Sequence, residues 1–155
     1  MNPGSEQRSE VHAPAANPCG SCPYRCDVPS GVWHEEEYDQ LEHYDCETGS
    51  QSRGLFLCHQ QNGRLCAGWV GCHDMDHSLA VRLAAMTGEL SGETLDAVLD
   101  YETPVALFAS GAEAAAHGRE NIDAPDDRAE RQIADLLQKR ARRRARQPER
   151  EEEVH

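Results

Sequence analysis

Gly54-Leu-Phe-Leu-Cys58-His-Gln-Gln-Asn-Gly-Arg-Leu-Cys66-Ala-Gly-Trp69 is the stretch on which the reading of the chain turns. Two apolar runs, Leu55 to Leu57 and Leu65 to Val70, flank Gln61-Asn62-Gly63, a strong short-range signal for a β-hairpin. A two-residue loop at Asn62-Gly63 would set Cys58 across from Ala67. A three-residue loop, with Gly63 in the left-handed position of a bulge, sets Cys58 directly across from Cys66. Thiols opposed in that way supply half of a tetrahedral metal site. The other half is Cys19-Gly20-Ser21-Cys22, whose spacing suits two ligands from one tight turn. The expected site is therefore Cys19, Cys22, Cys58 and Cys66. Zinc is the expected ion, and an iron-sulfur cluster is the alternative that uses the same four thiolates.

His59 and His73 each follow a cysteine and are possible additional ligands, as is Cys72. Alternation along a strand turns His59 to the face opposite Cys58, whereas His73 lies in a loop and is freer to face inward. Cys26 and Cys46 are read as bystanders. Catalytic look-alikes around Cys19 fail on context. Cys-Gly-Ser-Cys resembles the nucleophile region of papain-like proteases, but the downstream length that supplies their His and Asn is missing. The thioredoxin and glutaredoxin patterns follow a buried strand and open a helix, and Ala13-Pro14-Ala15-Ala16-Asn17-Pro18 makes no strand. Haem attachment needs His after the second cysteine, where Pro23 stands.

Composition narrows the class. The 155 residues are 38% hydrophobic and include seven cysteines, and mean hydropathy is -0.75. So thin a core often recruits metals or disulfides. No signal-peptide core or membrane-spanning run is visible, so a cytoplasmic chain with reduced thiols is expected. Net charge is -13; residues 126–155 hold 9 of the 15 basic and 8 of the 28 acidic residues, so this segment is +1 and the remainder -14. Such a body repels phosphate backbones. Nucleic-acid binding would have to rest on Lys139 to Arg146, whose simpler reading is a solvated helix end.

Along the chain, residues 1–17 read as a disordered lead, 18–120 as a Cys-rich domain, and 121–155 as a C-terminal helix with a charged tail. Helices are expected at about 34–44, 76–86, from Ser91, at 110–118 (with a capping box at Ser110–Glu113), and at 123–146. Gly88 is the expected stop of the second. Val105 to Phe108 reads as a third strand or an extended packing segment. The fold class expected is α+β, a central hairpin packed by helices at 34–44 and 76–86.

Taken together, Cys19-Gly-Ser-Cys22-Pro23-Tyr24-Arg25, Asp27 to Trp33, Leu55-Phe-Leu-Cys58-His59-Gln60 and Cys66-Ala-Gly-Trp69 resemble a bacterial and phage family of small proteins, mainly actinobacterial, classed as a domain of unknown function. The similarity runs from about Asn17 to Gly118. The resemblance implies that Cys19, Cys22, Cys58 and Cys66 form the family's cysteine pattern, and it carries no catalytic role. The expectation is a cytoplasmic, metal-stabilised binding or interaction module rather than an enzyme, with an unknown protein partner; the Trp33 and Trp69 regions are either candidate contact surfaces or packing beside the metal-bearing turn. A thiol-redox or iron-sulfur protein is the first alternative. A nucleic-acid-associated factor acting through the Arg-rich helix is the second.

Overall fold

A computed structural model describes residues 11–58, 60–61 and 63–146. Among them the regular elements are helices: α1 Glu35–Leu41, α2 Ala67–Cys72, α3 Leu79–Thr87, α4 Gly92–Leu99, α5 Gly111–Arg119 and α6 Asp127–Ala145. Short 3₁₀ turns follow α1 and precede α3. The expected α+β class with a central β-hairpin is thereby corrected, because the described residues contain no strand and only isolated bridges.

The hairpin stretch shows why. Leu57 and Leu65 form a single antiparallel bridge, flanked by Cys58 N–H donating to Arg64 O (2.8 Å) and Cys66 N–H donating to Phe56 O (3.0 Å). Gly63 takes the expected left-handed conformation, φ 73°. Pairing stops there because Cys66 becomes the cap of α2 and the apolar run Ala67 to Val70 coils. A short apolar run has no periodicity that separates strand from buried helix, and here burial decided for helix. Register also differs: Cys58 pairs with Arg64, not Cys66. The slip is two residues, so both cysteines stay on one side of the ribbon, diagonal rather than opposed. Val105 to Phe108 is likewise not a strand; it contributes the lone bridge Arg25 to Leu107.

The helices expected elsewhere are present, with ends set by local chemistry. Ser78 accepts from Val81 N–H, Ser91 from Thr94 N–H and Asp126 from Ala129 N–H, each closing an orphan donor of a first turn. Gly88, φ 80°, ends α3. At α5 Ser110 accepts from Glu113 N–H, while the Glu113 carboxylate returns to Ala109 N–H, one residue earlier than in a standard capping box.

α1 and α5 pack most closely. Gly111 and Gly118, two turns apart, clear one face of α5: a Cβ at Gly111 would lie 1.9 Å from Leu41 O, and one at Gly118 2.0 Å from the Tyr38 ring. Ala114 and Ala115 complete this small-residue face and are fully buried. The rest of the core gathers around Tyr24, Phe56, Leu65 and Trp69. Of the two placements expected for Trp33 and Trp69, contact surface or packing beside the cysteine turn, burial favours packing: they are 6% and 0% exposed and belong to this core. Residues 11–17 lie along this core: Val11 is buried, and His12 exchanges backbone hydrogen bonds with Gly63 and Leu65. Residues 1–10 of the expected lead, His59, and the acidic tail from Glu149 lie outside the described residues.

Candidate metal centre

The turn Cys19 to Cys22 has little regular structure, and its shape is set by side chains that fasten its carbonyls. Cys22 N–H closes the turn onto Cys19 O (3.0 Å). Trp33 Nε1 donates to Ser21 O (2.8 Å), Gln132 Nε2 to Gly20 O (2.9 Å) and Arg25 Nη1 to Pro18 O (2.9 Å). Gln60 Nε2 donates to Ser21 Oγ, joining this turn to the Cys58 loop. α2 then packs from below. Gly68 sits in its first turn because a Cβ there would stand 2.4 Å from Cys22 Sγ and 2.8 Å from Tyr24 Cβ. A helix glycine normally costs about 1 kcal/mol against alanine, so its presence marks an approach that no side chain permits.

These supports bring the four expected cysteines into one neighbourhood. Cys22 Sγ lies 3.8 Å from Cys66 Sγ. Cys19 contacts both Cys22 and Cys58 through its thiol. The thiols thus run Cys58, Cys19, Cys22, Cys66. Hydrogen bonding to Cys22 and burial raise the Cys19 thiol above its ordinary value. At Cys22 a bond from Cys19 favours the thiolate, but the bond with Cys66 and burial outweigh it, and the group is held well above the thiol range. Cys58 is raised by its bond with Cys19 and by burial. Crowded, dehydrated thiols of this kind keep their protons until a cation offsets the charge.

The fit to a metal is close along the edges and incomplete as a cage. Thiolates about 2.3 Å from zinc at the corners of a tetrahedron stand about 3.8 Å apart, the separation found between Cys22 and Cys66. Among the described residues, however, no group of three or more His, Cys, Asp or Glu side chains is disposed to hold an ion as it stands. With the two-residue slip, Cys58 bonds with Cys19 and does not stand across from Cys66.

The further candidates go elsewhere. His73 Nε2 is 3.4 Å from Tyr24 Oη and Nδ1 is 3.6 Å from Asp45 Oδ1. Cys72 is pushed up to about 12 by burial and by the nearby carboxylates of Asp45 and Glu113. Neither contacts the four-thiol group by any of these links. His59 lies outside the described residues. Cys26 and Cys46 are exposed, and all seven cysteines are free of disulfides. Two partners were not visible beforehand. Asp45 accepts from Gly111 and Ala112 N–H (2.8 and 2.6 Å), fixing the start of α5, and α6 lies across the cysteine turn through Gln132 and through Arg143, which donates to Gln60 O. Neither pairing has a local signal, because each joins residues 66 or more positions apart.

A compact helical unit carrying a partly buried four-cysteine cluster is the class these features define. The chain belongs to the family of unknown function DUF6283, whose model matches residues 14–142. No curated protein and no solved structure matches the chain. No helix among the described residues is long and apolar enough to cross a membrane.

Proposed function

We propose that Cys19, Cys22, Cys58 and Cys66 bind one zinc ion and that the chain is a metal-stabilised cytoplasmic interaction module rather than an enzyme. The observation that carries this reading is the thiol chain from Cys58 to Cys66, with its 3.8 Å Cys22 to Cys66 separation. Closing the cage needs the thiols to draw together, Cys58 among them, which bonds with Cys19 and does not stand across from Cys66. Four thiolates leave no open coordination position, so the ion's role is structural. Arg25, near Cys19 and Cys22, and the α6 arginines above the turn offset the negative charge of such a centre.

Elemental analysis of the purified protein beside Cys58→Ser tests this. Colourless protein with about one zinc per chain, lost in the variant together with folded signal, supports it. Visible absorption in anaerobically prepared protein would move the assignment to an iron-sulfur cluster on the same ligands. Metal-free protein that folds equally well in both forms rules out either centre.

A further inference from the structure

One side of α6 is spent on the molecule itself: Leu136 is buried, and Gln132 and Arg143 hold the cysteine turn. At about 3.6 residues per turn, Glu130, Ala134, Leu137, Ala141 and Arg144 fall on a different stripe, and all five are exposed. Beside this stripe runs an apolar groove of about 350 Å³, walled by Val32, Trp33, Ile122, Ile133 and Leu136. Leu137 is 58% exposed and belongs to the same wall.

Charge along the stripe divides at Leu137. Residues 120–130 carry five acids and one base, net -4, whereas residues 139–146 carry six bases and no acid. Counted on to residue 155, the chain from Lys139 has seven bases against four acids and is still +3. Neither end is balanced by its own near neighbours. Three and four residues from Glu130 stand Asp126, Asp127, Ile133 and Ala134; from Arg144 they are Arg140, Ala141, Gln147 and Pro148. Like charges at that spacing on a helix repel, so each end gains from an opposite charge brought from outside.

Glu130 and Arg144 lie seven residues to either side of Leu137. A second α6 laid antiparallel and turned about Leu137 therefore sets each Glu130 against the other helix's Arg144, and the short Ala134 and Ala141 side chains leave room for the approach. A wholly acidic partner, or a nucleic acid, would match one end of the stripe and be repelled at the other.

We propose that two copies of this chain associate through α6, antiparallel about Leu137, with Leu137 of each copy covering the lip of the other's groove and Glu130 facing Arg144 of the second copy on both sides. A helix of 19 residues is about 28 Å long, so the contact is small, and the expected dissociation constant is about 10–100 µM. Pairing this weak leaves dilute protein monomeric.

Sedimentation equilibrium of the full-length protein as purified, over about 5–500 µM, tests this. The mass is expected to rise from 17.2 kDa towards twice that value. Leu137→Glu, Glu130→Arg and Arg144→Glu are each expected to weaken association about ten-fold or more, with circular dichroism and metal content unchanged. An equimolar mixture of the Glu130→Arg and Arg144→Glu chains is expected to associate within about three-fold of the wild type, because both facing pairs are again opposite in charge. Misfolding of either variant could not produce that recovery. A chain that stays monomeric to about 500 µM overturns the proposal and leaves the groove to a foreign partner. Single variants that associate like the wild type, or a mixture no better than its components, overturn it as well. None of these substitutions touches a cysteine, so the zinc reading is tested independently.

Discussion

The α1–α5 pair and the cysteine turn are held together by opposite means. In the first, glycine and alanine clear a surface so that two helices meet backbone to side chain, and each helix satisfies most of its own polar groups. In the second, the backbone has almost no regular partners, and Trp33, Gln132, Gln60 and Arg25 reach in to satisfy carbonyls and a hydroxyl one by one. Packing that depends on shape tolerates no added atom but needs no ion. A turn fastened by single hydrogen bonds, each worth about 1 kcal/mol net, is the part that the proposed ion would secure.

The largest effect should come from Cys22→Ser. Structural zinc contributes apparent binding energies of about 10–16 kcal/mol in small zinc-binding peptides, so zinc should fall from about one per chain to near zero and the cysteine turn should lose protection from hydrogen exchange. If the comparison holds, α1 and α5 keep their slow-exchanging amides. Gly111→Ala should do the reverse. Its new methyl meets the Leu41 carbonyl, which belongs to backbone and cannot step aside, so urea denaturation should show a loss of about 3 kcal/mol with zinc binding retained. A loss below about 0.5 kcal/mol would mean that the two helices are not locked by shape.

Trp33→Phe keeps an aromatic ring but removes the pyrrole part of the buried indole with its donor to Ser21 O. It should cost about 1–3 kcal/mol and loosen zinc without unseating α1 from α5. His73 sharpens the contrast through pH. Burial lowers its folded value below the 6.5 of a free histidine, and Asp45 opposes the shift only in part. As pH falls through about 6.5, the unfolded chain takes up the proton first, so stability declines with acidification across that window. His73→Gln should flatten this part of a urea-midpoint against pH curve. The smallest effect is expected for Arg142, Arg144 and Arg146 changed together to Ala. These side chains are exposed, and stability should move by no more than about 0.5 kcal/mol per site.

Helix positions governed by capping and periodicity were legible in the sequence. Ser91 and Gly88 act where their chemistry placed them, because a cap is a contact between residues three or four apart, whereas Ser78 and Asp126 cap helices expected to begin earlier, at about 76 and 123. The reading failed at Ala67 to Val70, where an apolar run is equally good as a strand, and the deciding contact, Gly68 against Cys22, joins distant parts of the chain. The same holds for the register of Cys58. Seven cysteines mark themselves by identity, and their spacing singled out four. Cys19 and Cys22, and Cys22 and Cys66, do meet, although by a route different from the opposed pair expected. The α6 contacts with the turn were beyond reach, since an Arg-rich helix reads equally well as a free end.

The crossing of α6 over the cysteine turn also sets an order of events during synthesis. All four thiols are made once Cys66 has been added, whereas the residues that cover them, up to Arg143, come later. At ribosomal speeds of about 5–20 residues per second, the intervening stretch takes about 4–15 s to make. For that interval the turn is held without α6, whose arrival adds the Gln132 and Arg143 contacts to Gly20 and Gln60.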